Sequence, residues 1–339
     1  MVLEGSDPAS IETCAAALKA GELVAFPTET VYGLGADADS DAAVAKIFSA
    51  KGRPSDHPLI VHVPDTGHGA PGLAHFAERV PQFAHRLVQA FWPGPLTLIL
   101  PRRAGVGSAA AGGQDSIGLR CPAHPVAQAL LHACSAQGMR GLAAPSANQF
   151  GRVSPTTAAH VLGEFGDPLL ILDGGACVVG IESTIIDCTR GAPVLLRPGA
   201  ITPEQVAAAC GRRVLTAEEA STLDAPRASG TLQAHYAPTA KLRLMDARAL
   251  QTALDLLGSD IDLADPVIAI YARVLLRSAS SKVLRRRMPD DAATTAQQLF
   301  AVLREFDAAG VKLIWVETPP EAGDWDGVRD RLQRAAAAG

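Results

Sequence analysis

The sequence predicts a two-domain α/β protein, a larger mixed-sheet domain followed by a smaller open sheet of Rossmann-like type. Three observations lead there. Apolar runs of strand length alternate with alanine-rich stretches of helix length along most of the chain. The alternation lapses between residues 211 and 240, which is too long a gap for one compact domain and reads as a linker. The 339 residues, 48% of them hydrophobic and 19% charged, supply apolar material for two cores. The expected partition is residues 1–210, a linker at 211–240, and 241–339.

In the first domain, Ile11 to Ala20 is alanine-rich, with Asp7 and Ser10 available as caps and Gly21 as its stop, and reads as a helix. Leu23 to Phe26 is a short buried strand broken by Pro27. A polar turn, Thr28-Glu29-Thr30, leads through Val31-Tyr32 to Gly33 and Gly35. A helix from about Ser40 to Ala50 delivers Lys51-Gly52-Arg53-Pro54, and Pro58 to Val63 is the next strand. Leu73 to Phe91 is helical until Pro93-Gly94-Pro95 stops it before the strand Leu96 to Leu100. Further strands fall at Ile117 to Arg120, Gly141 to Ala144, Leu169 to Leu172, Ser183 to Cys188 and Val194 to Leu196. Helices lie between them at Pro125 to Ala136, Thr156 to Phe165 and Pro203 to Ala209. In the second domain, strands at Leu242 to Met245, Val267 to Tyr271, Val283 to Arg287 and Val311 to Glu317 are expected. They share it with helices at Ala247 to Leu257, Ala292 to Ala309 and one from Gly327.

Charge and composition then exclude several classes. With 30 basic and 35 acidic residues the net charge is −5, which does not suit bulk electrostatic binding of nucleic acid but leaves room for a local basic cleft. The six cysteines form no C-x-x-C pair and no zinc spacing with histidine, so they read as small buried residues of a reduced compartment. Met1 to Asp7 has no apolar run and no stretch is long enough to span a bilayer; the expectation is a soluble, cytoplasmic protein. No G-x-x-x-x-G-K-[ST] occurs, which removes a Walker-type NTPase.

The densest chemical signal is Pro27-Thr28-Glu29-Thr30-Val31-Tyr32-Gly33-Leu34-Gly35 followed by Lys51-Gly52-Arg53-Pro54. A threonine-rich turn after a strand offers hydroxyls and N–H groups at a sheet edge. Lys51 and Arg53 add a point charge and a planar fork for phosphate oxygens. Each such contact at 4 Å gains a gross ~4 kcal/mol at an effective dielectric near 20, from which desolvation must be subtracted. The same two cations could equally decorate a helix C-terminus, where positive charge is favoured anyway. Gly33 to Ala38 fits G-x-G-x-x-A only weakly, because six residues separate it from the preceding strand. Ser146 and Asn148, in Ala144-Pro145-Ser146-Ala147-Asn148, follow a strand and suit either a ligand's polar edge or a local turn. Ser183-Thr184 is similarly ambiguous. Arg120 and Arg197 each end an apolar strand and each needs an anion, from the protein or from a ligand. His57 and His62 are candidate contacts, although lone histidines are more often structural. Composition and spacing thus give an α/β protein with several polar strand-end clusters and an anion site, and no reaction.

Taken together, F-P-T-E-T-V-Y-G-L-G, K-G-R-P, P-G-P-L-T, P-S-A-N and E-S-T-I-I-D in this order resemble the YrdC-like threonylcarbamoyl-AMP synthase family in its long, two-domain form. The resemblance covers about Gly21 to Gly199 and returns at His235-Tyr236-Ala237-Pro238. It implies a twisted YrdC-like mixed-sheet domain with a large concave cleft, a Rossmann-like C-terminal domain, and a linker closing over the cleft. It also implies synthesis of threonylcarbamoyl-AMP and pyrophosphate from L-threonine, bicarbonate and ATP with Mg²⁺, in the service of tRNA threonylcarbamoyladenosine modification. The product would pass to the tRNA threonylcarbamoyl-transferase machinery. By matching position, L-threonine would be held by Thr30, His62, Arg120, Ala144 and Ser183. ATP would meet Lys51, Arg53, His57, Ser116, Ser146, Asn148, Ser154 and Arg197, with Tyr236 closing on it; Lys51 and Arg53 would carry catalysis, and no protein metal ligands are implied. His57 stands where the family often has asparagine. Carbamoyl transfer for metal-centre maturation would require paired C-x-x-C motifs, which are lacking. An RNA-binding module without threonine-dependent ATP turnover, using a weak RNA contact, is the alternative from another class.

Overall fold

Side chains alternate across the central strands of this protein, and the alternation decides which of them face a site and which a core. The computed structural model describes residues 1–65, 67, 71–220, 225–257, 268–280 and 282–338. The chain divides into two units: Met1–Phe150 with Ser154–Thr231, and Gly151–Val153 with Leu232–Gly339. Residues 211–231 therefore belong with the first unit, and the remainder of the predicted linker with the second.

The first unit runs β1 (Val2–Glu4), α1 (Pro8–Lys19), β2 (Val24–Phe26), β3 (Gly33–Asp37), α2 (Asp41–Lys51), β4 (Ile60–His62), α3 (Pro71–Phe76), α4 (Gln82–Phe91) and β5 (Leu96–Pro101). It continues through β6 (Ser116–Arg120), α5 (Pro125–Ala136), β7 (Leu142–Ala143), α6 (Ala158–Phe165), β8 (Leu170–Asp173), β9 (Thr184–Asp187), β10 (Val194–Arg197), α7 (Pro203–Cys210) and β11 (Leu215–Thr216). The eleven strands form one mixed sheet in the order β1-β8-β2-β3-β7-β4-β6-β5-β9-β10-β11. Parallel pairs such as β4 with β6 and β5 with β9 alternate with antiparallel ones such as β5 with β6.

Two expectations change. The single helix from Leu73 to Phe91 is two helices, because Pro81 opens α4 and proline disfavours helical backbone in the residue before it. Gly33 to Asp37 is a strand where none was expected. A Cβ on Gly35 would lie 2.8 Å from Phe26 Cε1, so the glycine lets β3 pair tightly with β2 over the Phe26 ring. Backbone packing, not dinucleotide binding, explains the G-x-G.

On one face of the sheet, Val61, Leu98, Leu119 and Ile186 join Ile47, Leu87 and Val206 in the main core under α2, α4 and α7. A second core joins α1 and α5 to β2 through Leu18, Leu130, Leu131 and Phe26. Fully burying each such side chain contributes roughly 1.5–3 kcal/mol. The residues adjacent to the first set, Ile60, Ile99 and Ile185, point to the other face. There, on three strands, they are met by Leu196 and by Ala228 of the predicted linker.

The second unit contains β12 (Lys241–Met245), α8 (Ala247–Leu257), β13 (Ile268–Ala272), β14 (Leu284–Arg287), α9 (Ala292–Ala308), β15 (Leu313–Glu317) and α10 (Asp326–Ala336). The expected strand start at Val267 lies outside the described residues. Its four strands are all parallel, in the order β12-β15-β13-β14. No helix among the described residues is long and apolar enough to cross a membrane. All six cysteines are free and buried, and burial raises those of Cys14, Cys121, Cys134 and Cys177 to pKa values of about 11 to 12.

Candidate active site

The helix α2 ends in a Schellman motif that fixes its two cations. Gly52 sits at φ 63, its N–H bonds to Ser49 O, and the Arg53 N–H reaches back to Phe48 O. Lys51 is consequently turned inward and buried, instead of lying along the helix end. Its ammonium donates to Ser146 O at 2.6 Å and to Asn148 O. Burial first, and then the Arg53 guanidinium, push its pKa down to about 7, against the opposing pull of Glu164 and Glu182. Arg53 donates to Pro58 O at 3.0 Å and lies 5.8 Å from the Phe150 ring centroid. The His57 ring lies against the same phenyl ring at 5.6 Å. Partial burial and Arg53 lower the pKa of His57.

A second group gathers on the cleft face of the central strands. His62 and Arg120 are register partners on β4 and β6. Arg120 pairs with Glu29 at 2.7 Å, donates to Thr30 Oγ1 at 2.8 Å and reaches Gly94 O at 3.3 Å. Burial and then Arg120 push the pKa of His62 down to about 3, so its imidazole is neutral at physiological pH. Across β5, Thr97 Oγ1 lies 2.7 Å from Ser183 Oγ. The pairing of β10 with β9 slips by one residue between Leu195 and Arg197, so Arg197 stands opposite Ile185. Its guanidinium then bonds Ser183 O at 2.8 and 3.0 Å, Ser183 Oγ at 3.1 Å and Ser229 O at 2.9 Å.

Backbone bonds knit the two groups together. Gly33 bridges to Ser146, Ala147 N–H donates to Tyr32 O, and Ala144 N–H donates to Ile60 O. Ser229 links Arg197 to Arg53, whose Nη2 is 3.5 Å from its hydroxyl. Ser116 and Ser229 line one pocket with Ile60, Thr97, Gly118 and Ala228. Arg227 pins the linker there through Asp56 at 2.6 Å and Gln114 at 2.8 Å. Ser154 is buried and donates to Glu182.

The structure thus gathers Thr30, Lys51, Arg53, His57, His62, Ser116, Arg120, Ala144, Ser146, Asn148, Ser154, Ser183 and Arg197 in the first unit. Tyr236 lies in the second, where its ring stacks on Phe300 at 5.6 Å beneath the Arg331 guanidinium. Its backbone is in the left-handed region, at φ 60. The linker residue held by the two arginines is Ser229. Glu29, Thr97, Glu182 and Ser229 were missed from sequence. Thr97 had left a signal, a hydroxyl inside the apolar strand Leu96-Thr97-Leu98-Ile99; Ser229 had left none.

Comparison with known proteins agrees with this architecture. Residues 16–199 match the Sua5/YciO/YrdC family model, described as "Telomere recombination". Residues 201–337 match the model "Threonylcarbamoyl-AMP synthase, C-terminal domain". The chain is 37% identical to the threonylcarbamoyl-AMP synthase of Pyrococcus abyssi, over 96% of this chain and 94% of that protein. It is 36% identical to the Bacillus subtilis enzyme of the same name, over 98% and 94%. A crystal structure of P. abyssi Sua5 complexed with L-threonine superposes with a TM-score of 0.85 at 36% identity, covering 98% of this chain and 95% of that one. On the strength of both domain matches and these near full-length relatives, the chain belongs to the threonylcarbamoyl-AMP synthase family.

Proposed function

We propose that this chain condenses L-threonine, bicarbonate and ATP to threonylcarbamoyl-AMP and pyrophosphate, acting as a nucleotidyltransferase in tRNA threonylcarbamoyladenosine modification. The carrying observation is that one unit sets buried cations on uncharged oxygens (Lys51 on the carbonyls of Ser146 and Asn148) beside a cluster built around Arg120. The first group suits a nucleotide's phosphates and the second an amino acid. L-Threonine is bound by the P. abyssi relative. In this reading Thr30, His62, Arg120, Ala144 and Ser183 surround the amino acid. Lys51, Arg53, His57, Ser116, Ser146, Asn148, Ser154 and Arg197 meet ATP, with Ser229 as a linker contact.

The threonine amine adds to bicarbonate with loss of water, or to carbon dioxide with loss of a proton, giving a carbamate. A carbamate oxygen then attacks the α-phosphorus of ATP and pyrophosphate leaves. No enzyme nucleophile is required, so the protein's task is in-line positioning and stabilisation of phosphate charge. Among the described residues no group of three or more His, Cys, Asp or Glu could hold a metal. Mg²⁺ accompanying ATP would be held mainly by the nucleotide's own phosphates, where it would neutralise charge. The reading extends to a product passed on to a tRNA-modifying transferase.

The test is pyrophosphate release from ATP and bicarbonate, with and without L-threonine, and with serine as the control. Release that depends on L-threonine is expected. Equal release without any amino acid would refute the proposal.

A further inference from the structure

We infer that Glu29 is the binding site for the α-ammonium of the amino-acid substrate, and that it acts with Arg120 as a preformed zwitterion receptor. The inference rests on L-threonine being a substrate. It adds a residue that the family resemblance does not bring to the site.

The observation is a buried pair that is close without being satisfied. Glu29 and Arg120 approach to 2.7 Å, with side chains only 7% and 4% exposed. Yet Glu29 Oε1 and Arg120 Nη2, the two atoms that meet, have no hydrogen-bond partner among the described residues. The rest of each group is tied down. Glu29 Oε2 accepts the Ala123 N–H at 3.1 Å, and Arg120 uses Nη1 on Thr30 and Nε on Gly94. A third orphan, His62 Nδ1, belongs to the residue in register with Arg120. Native proteins bury few such atoms without a partner, and a charged pair kept only for stability would align its bonds.

An α-amino acid satisfies this arrangement in both halves. Its carboxylate takes the open N–H of Arg120, and its ammonium donates to Glu29 Oε1. The net charge of the receptor stays neutral, which matches a zwitterion and disfavours a simple carboxylate. Thr30 Oγ1, 2.8 Å from both Thr28 Oγ1 and Arg120 Nη1, fixes the guanidinium plane from the side. Glu29 is itself anchored at both ends of its peptide turn, because Val179 N–H donates to Glu29 O and Gly180 N–H to Thr30 O.

The experiment compares binding of L-threonine with binding of 3-hydroxybutyrate, which is threonine without its amine, in wild type and Glu29→Gln. Calorimetric titration of ATP serves as a control for the integrity of the cleft. Glu29→Gln is expected to weaken L-threonine by about thirtyfold, the loss of one charge-assisted contact, and to leave 3-hydroxybutyrate nearly unchanged. Glu29→Asp, which keeps the charge, is expected to restore part of the preference for threonine. Equal losses for both ligands would mean that Glu29 merely holds Arg120 in place, and would overturn the inference. So would unaltered threonine binding in Glu29→Gln. Failure of the wild-type protein to bind L-threonine would instead overturn the functional reading itself, and this inference with it.

Discussion

Lys51 in the first unit and Arg273 in the second are held in opposite ways. In the second, Arg273 at the carboxyl end of β13 pairs with Glu317 at the carboxyl end of β15, at 2.5 Å. The same carboxylate accepts the backbone N–H groups of Arg273 and Val274 at 2.6 and 3.1 Å. Anions bind open parallel sheets at such carboxyl-end crevices, so the chain's own glutamate fills the role a ligand phosphate would play. In the first unit, Lys51 rests on carbonyl oxygens, and Arg197 engages carbonyl and hydroxyl oxygens of Ser183 and Ser229. Neutral oxygens orient a cation without cancelling its charge, whereas a carboxylate cancels it. The first sheet thus holds the Lys51 ammonium on uncharged oxygens, while its Arg120, like Arg273 in the second unit, meets a carboxylate.

The largest effect should come from removing the two cations at the end of α2. Lys51→Ala and Arg53→Ala should each slow threonine-dependent pyrophosphate release by about a hundredfold, comparable to losing one preorganised electrostatic contact. Near-normal rates in both would break the contrast between the units. Glu317→Gln tests its other half. It should cost about 2 kcal/mol in denaturant unfolding by leaving Arg273 without its counter-charge, with turnover per folded molecule unchanged. Loss of turnover without loss of stability would place Glu317 in the chemistry instead.

Proton linkage offers a sharper probe of Lys51. Its folded pKa of about 7 lies below the ordinary 10.5, so the unfolded chain holds more protons between those values. Stability should therefore rise with pH from about 7 towards 10.5, by up to roughly 1.4 kcal/mol per pH unit for this one group. Denaturation series on wild type and Lys51→Met should differ in slope over that window, and parallel curves would show that the ammonium is not desolvated. The smallest effect expected is that of Gly52→Ala. Forcing a side chain into left-handed backbone at φ 63 should cost about 1 kcal/mol and weaken ATP binding through Arg53, measurable as a raised KM.

Much of the fold was legible because strand alternation and helix caps are local. Asp7, Ser40, Thr157 and Thr202 all cap the helices they precede, and apart from β1, β3 and β11 the strands of both sheets fall within a few residues of their expected runs. The break at Pro81 was missed because the apolar period continues across it. The strand at Gly33 to Asp37 was not foreseen because glycine has little intrinsic preference for strands.

What the sequence determined by itself was the class of each element, the family motifs and the presence of cations at strand and helix ends. Only the tertiary structure decided which oxygens those cations meet. Whether Lys51 decorated a helix or turned inward depended on a loop that begins at Ala144, and Arg120 found its partner in Glu29, far away along the chain. Pairing of this kind depends on distance in space. It appears once strand order has brought β4, β6, β5 and β9 side by side, and no local pattern of residues records that order.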